Sequence, residues 1–184
     1  MATVAVLVID VQREFFCGPS ASYRGDQVIA GINQLTSAAR AARAPVFFVQ
    51  HDGVPEEEQV VPGTEDWELH PALVRTDDDQ LVRKSVGDSF HETSLADRLE
   101  RLGVDRLLLC GYATEFCVDT TARRAVTLGY RTTVVSDLHT TQRRPHLAPE
   151  QIVAHHNWVW ENASMSGNCV AVRPLSDVLA TEFA

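Results

Sequence analysis

Residues 3–10 read Thr-Val-Ala-Val-Leu-Val-Ile-Asp, or TVAVLVID. Seven consecutive apolar or β-branched residues with no polar face indicate a strand buried on both sides. Such strands belong to parallel sheets covered by helices. The run stops on a carboxylate, Asp10. Beyond it a helix is expected from about Asp26 to Arg43, with Ile29, Ile32, Leu35 and Ala39 along one side. Pro45 resets the chain, and Val46-Phe47-Phe48-Val49 reads as a second buried strand. Gln80–Lys84 reads as a third, ending on a lysine. Arg106–Cys110 reads as a fourth, Arg131–Val135 as a fifth and Cys169–Val172 as a short sixth. Helices are expected at Thr93–Leu102, Glu115–Leu128, Pro149–Trp160 and Ser176–Thr181, with Gly103 and Gly129 stopping the first two.

Strands that alternate with helices predict an α/β fold. The expectation is a single domain over residues 1–184, a three-layer sandwich with a largely parallel, about six-stranded Rossmann-like sheet. Residues 51–78 are polar, rich in proline, glycine and acids, and too long for a plain connector. Trp67 within them points to an ordered, functional loop.

Bulk properties narrow the function. The chain has 184 residues, 45% apolar and 22% charged, with net charge −9. That balance argues against a nucleic-acid binder, which would show a basic face. No apolar run approaches the roughly 20 residues that span a bilayer. The opening lacks a basic leader and Asp10 interrupts it, so a cytoplasmic protein is expected. Cys17, Cys110, Cys117 and Cys169 have no metal-knuckle spacing and read as reduced thiols.

In open parallel sheets, ligands bind beyond the carboxyl ends of the strands. Asp10, His51, Lys84, residues 111–117 and residues 137–139 all fall there, and are expected to meet in one cleft. Within 111–117, GYATEFC, a strand gives way to a helix with Thr114 as N-cap. Cys117 then sits in the first turn, where unpaired N–H groups and the helix dipole favour an anion. Such placement lowers a cysteine pKa from about 8.5 toward roughly 3.5–7.5. The same N–H groups suit an oxyanion. From this segment alone, a small packed hydrophobe is an equal reading of Cys117. Cys110 and Cys169 read as core, and Cys17 as structural or pocket-lining. Asp10 is a general base or a turn aspartate. Lys84 holds carboxylate and thiolate together, or is a surface lysine.

Taken together these pieces resemble the isochorismatase-like cysteine hydrolase superfamily over nearly the whole chain. The carriers are Asp10-Val11-Gln12 after the first strand, Lys84 followed by Asp88-Ser89-Phe90, Gly111-x-x-Thr114-x-x-Cys117-Val118, and Asp137-Leu138-His139-Thr140-Thr141. The resemblance implies a triad of Asp10, Lys84 and Cys117. Cys117 would attack a carbonyl to give a thioester, and Asp10 would move the protons. It also implies a cis peptide between Tyr112 and Ala113, which aims the Ala113 N–H, beside that of Cys117, at the oxyanion.

Two departures from the family pattern matter. The nicotinamidase branch builds a metal cluster on an Asp-x-His after the second strand. Here that position reads Val49-Gln50-His51-Asp52-Gly53. His51 and His70 could each bind a metal, but with no His-x-His and no Asp-x-His pair at that position, no metal and no other cofactor is expected. The isochorismatase branch proper cleaves a vinyl ether and commonly lacks the cysteine that stands here. The resemblance then implies metal-independent hydrolysis of a C–N bond in a carbamoyl, ureido or lactam group, with a small-molecule amide as partner. Phe15, Phe16, Trp67, Tyr112 and Phe116 are candidate pocket walls, with Gln12, His51 and His139 as polar contacts.

Three alternatives stand beside this reading: a vinyl-ether or ester hydrolase without a covalent step, a binding module on the same fold, and a thiol redox protein. The last lacks a resolving cysteine nearby. A homodimer or homotetramer is implied by the resemblance. Val153, Trp158 and Val159 on the late helix serve either an interface or the cover of the sheet.

Overall fold

The computed structural model describes residues 3–18, 21–54, 56, 59–163 and 169–183. In chain order the elements are β1 (Thr3–Ile9), α1 (Arg13–Phe16), α2 (Gly25–Ala41), β2 (Val46–His51), β3 (Gln80–Lys84), α3 (Leu95–Arg101) and β4 (Val104–Tyr112). A single π turn (Thr114–Val118) leads into α4 (Asp119–Thr127). Then come β5 (Arg131–Thr140), α5 (Pro149–Asn162), β6 (Ala171–Arg173) and α6 (Leu175–Glu182).

The six strands form one sheet in the order β3-β2-β1-β4-β5-β6, and every neighbouring pair is parallel. Alternation along β1 divides its side chains between two cores. Val4, Val6 and Val8 face a cluster with Ile29, Ile32 and Leu35 of α2 and Val178 of α6. Ala5, Leu7 and Ile9 face a cluster with Leu95 and Leu99 of α3, Ala122 and Ala125 of α4, and Trp160 of α5. Helices therefore cover both faces, which explains why β1 has no polar side.

The chain winds outward from β1 to β3 in one direction and from β4 to β6 in the other. Neighbouring β1 and β4 thus mark the point where the winding reverses, and a crevice opens at their carboxyl ends. Gly111 lies on this seam, opposite Ile9. Its φ is +120°, and a Cβ there would lie 2.0 Å from the Ile9 carbonyl oxygen. Only glycine permits so close an approach.

Several boundaries differ from expectation. β5 continues to Thr140 and carries His139 inside the sheet. The short α1 has no periodic signal to reveal it. Cys169 is exposed and lies before β6 rather than in the core. On α5, Ile152 and Trp160 cover the sheet, while Trp158 faces outward.

Candidate active site

β1 ends at Ile9, and Asp10 turns the chain with a φ of +50°. Aspartate tolerates this left-handed conformation better than most residues. Its backbone N–H still donates to the Val49 carbonyl at 2.9 Å, so the side chain is fixed at the strand end. Lys84 ends β3, two strands away. Its ammonium pairs with Asp10 Oδ2 at 2.8 Å, with side-chain exposures of 0% for the lysine and 1% for the aspartate. Asp10 Oδ1 is buried without a hydrogen-bond partner among the described residues.

The Lys84 ammonium has further acceptors: His51 Nδ1 at 3.0 Å, the Val86 carbonyl at 3.0 Å and Cys117 Sγ at 3.3 Å. Four acceptors thus share three hydrogens. Because the ammonium can only donate, His51 Nδ1 accepts. Burial would favour the neutral amine, but the Asp10 carboxylate and Cys117 outweigh it and hold Lys84 above the ordinary lysine value.

Cys117 lies in the π turn. The Ala113 carbonyl accepts from Phe116 N–H at 3.0 Å and, five residues on, from Val118 N–H at 3.1 Å. The expected N-cap is not formed, because the Thr114 hydroxyl turns to His139 Nδ1 at 2.9 Å instead. Nor is the thiol acidic at rest. Burial pushes it up to about 12, the Asp10 carboxylate adds to the rise, and Lys84 opposes it only in part. Desolvation and a nearby negative charge both disfavour a thiolate. The Tyr112–Ala113 peptide is cis.

Ligand-type atoms of Asp10, His51 and Cys117 lie within 4.8 Å of one another. Lys84 Nζ bonds to all three residues, so an ammonium already occupies the place a divalent cation would take. This donor set does not fit a metal. His70 is elsewhere, with Nδ1 accepting the Ala72 N–H at 3.3 Å.

A cavity of about 450 Å³ opens over Cys117, lined by Asp10, Phe15, His51, Tyr112, Ala113 and Phe116 among others. The rings of Phe15 and Tyr112 stack at 4.3 Å. On the rim, Arg144 donates to Glu115 Oε1 at 2.6 Å and stands 5.0 Å above the Phe116 ring.

Four expected substrate contacts are not on this wall. Gln12 is fully buried. It accepts the His51 N–H at 2.8 Å and donates to the carbonyls of His51 (2.9 Å) and Trp67 (2.8 Å), so it fixes His51 rather than a ligand. Trp67 pins its loop, with its indole N–H on Asp52 and Arg83 above the ring. Phe16 packs in the core against Tyr112. His139 is buried between Thr114 and Asn157. Glu14, Gln59, Glu115, Gln142 and Arg144 also line the cavity. No local pattern announces them, since the Glu115–Arg144 pair joins a turn to a loop 29 residues later.

Known proteins resemble this chain in sequence and fold. The family model described as isochorismatase domain matches residues 4–162. A streptothricin hydrolase of Streptomyces noursei is 40% identical over 141 residues, covering 77% of this chain and 56% of the relative. The chain spans about half the length of the two curated streptothricin hydrolases it matches. An uncharacterized isochorismatase family protein of Bacillus subtilis (strain 168) is 34% identical, covering 73% of this chain and 76% of the relative. A crystal structure of an isochorismatase family protein superposes with a TM-score of 0.83 at 32% identity, covering 92% of this chain and 96% of its own.

Proposed function

The chain belongs to the isochorismatase family of hydrolases, and we propose that it cleaves a C–N bond of a small amide, ureido or lactam substrate through a thioester on Cys117. The observation that carries this reading is the meeting of Asp10 and Cys117 in the cavity wall, with the fully buried Lys84 bonded to both.

The resting thiol is protonated, so attack needs a base. Asp10 is that base, through Oδ1, which has no hydrogen-bond partner among the described residues. As sulfur attacks the carbonyl carbon, its proton passes to Asp10. Lys84 then faces a forming C–S bond rather than a free thiolate. The tetrahedral oxyanion is met by the backbone N–H groups of Ala113 and Cys117. Asp10 returns the proton to the leaving nitrogen and the C–N bond breaks. Asp10 next takes a proton from water, which attacks the thioester, releases the acid and restores the thiol. Each proton taken is given back, and no external co-reactant beyond water is needed.

The substrate reading rests on the cavity. A volume of about 450 Å³ suits a ring-sized ligand. Tyr112, Phe116 and the neighbouring Phe15 offer flat apolar surface to a planar amide, and His51 faces it as the polar contact. Relatives named streptothricin hydrolase and nicotinamidase point the same way. A screen of small amides, ureido acids and lactams for ammonia or amine release tests this. The expected result is release from at least one of these classes. Turnover confined to vinyl ethers or esters would contradict it.

A further inference from the structure

His139 and Trp160 lie outside the cavity and are both buried. They meet edge to face, with ring centroids 5.1 Å apart. Each also reaches the turn that carries Cys117, at opposite ends.

At the first end the polarity can be worked out. Asn157 Nδ2 donates to the Ser136 carbonyl at 3.2 Å, which turns Asn157 Oδ1 toward His139 Nε2 at 2.9 Å. Nε2 therefore donates, Nδ1 accepts, and the Thr114 hydroxyl donates to it. Burial lowers the His139 pKa to about 4, so the ring stays neutral and keeps Nδ1 as an acceptor. At the other end the Trp160 indole N–H donates to Asp119 Oδ1 at 2.7 Å. Asp119 directly follows the π turn.

A π turn is rare, and the competing geometry for the same residues is an α-turn. Relaxation moves the following residues by one position, about 100° around the axis. That would swing Cys117 away from Lys84 and Asp10. Side-chain bonds at Thr114 and Asp119 hold the two flanks, beside those of Glu115 to Thr141 and Arg144 and of Asp119 to Arg123. We propose that the buried His139–Trp160 pair is a positioning device for Cys117, clamping the turn at Thr114 and at Asp119. The role rests on the reading of Cys117 as nucleophile.

The test is the pH profile of Cys117 alkylation by iodoacetamide, followed by mass spectrometry of the Cys117 peptide. Wild type, Thr114→Val, Thr114→Ser and Trp160→Phe are compared, with folding checked by circular dichroism at each pH. In the wild type the rate should still be rising at about pH 10, whereas Thr114→Val and Trp160→Phe should reach a plateau shifted toward about 8.5, the ordinary cysteine value. Thr114→Ser keeps the hydroxyl and should follow the wild type. A wild-type profile in folded Thr114→Val and Trp160→Phe would overturn the clamp. If Thr114→Val does not fold, Trp160→Phe decides. These results leave the nucleophile reading untouched, which fails separately if Cys117→Ala retains amide turnover.

Discussion

Asp10 and Lys84 form an ion pair of 2.8 Å in which neither side chain is more than 1% exposed. Removing one partner from such a pair leaves an uncompensated buried charge, at a cost of about 3–5 kcal/mol. Lys84→Met should lose stability on that scale in urea unfolding, because Asp10 Oδ1 already lacks a hydrogen-bond partner among the described residues. The double variant Asp10→Asn with Lys84→Met should recover most of the loss, since the orphan charge is gone. A cost below about 1 kcal/mol for Lys84→Met would show that water reaches the site.

Cys117 and Asp10 are coupled with a definite sign. The carboxylate helps hold the thiol up at about 12. Asp10→Asn removes that charge and leaves Lys84 to favour the thiolate. Alkylation of Cys117 should therefore move to lower pH in Asp10→Asn, while amide hydrolysis is lost with the base. An unchanged or higher profile would mean that Asp10 does not act on the thiol.

Gly111→Ala should be among the most damaging single-methyl changes in the chain. The added carbon would lie 2.0 Å from the Ile9 carbonyl oxygen, at a φ of +120°. A loss above about 3 kcal/mol, or failure to fold, is expected. A well-folded Gly111→Ala with the wild-type melting temperature would contradict the close seam between β1 and β4.

His139 predicts an acid limb in the stability curve. Its pKa falls from 6.5 to about 4 on folding. The unfolded chain therefore binds the proton first as pH drops. The stability contribution is whole above 6.5 and is lost as pH falls toward 4. The loss attributable to this group is about 3 kcal/mol. Unfolding free energies measured across this range should fall more steeply for wild type than for His139→Gln. Parallel curves would remove the buried neutral imidazole from the account.

Much of this was legible in the sequence. Short apolar runs rich in β-branched or aromatic residues, at Thr3–Ile9 and Val46–Val49, read as buried strands, and strand ends place Asp10, Lys84 and Cys117 on one rim. What was not legible depends on distance in the chain. The register of β5 beside β4 turns His139 inward. The bond from Thr114 to His139 then replaces the expected cap with a π turn. The same burial reverses the expected acidity of the Cys117 thiol. Gln12 follows a strand end as Asp10 does, yet its side chain satisfies the backbone of His51. Residue type at a strand end marks the rim of the cleft, and packing decides which side chains open onto it.

In the proposed reaction the sulfur of Cys117 forms the covalent bond. The most direct test is the turnover number of Cys117→Ala on an amide that the wild type hydrolyses, with folding verified. Loss of a nucleophile of this kind should lower turnover by about a thousandfold or more. Hydrolysis within about tenfold of wild type would contradict the claim and leave a non-covalent route in its place.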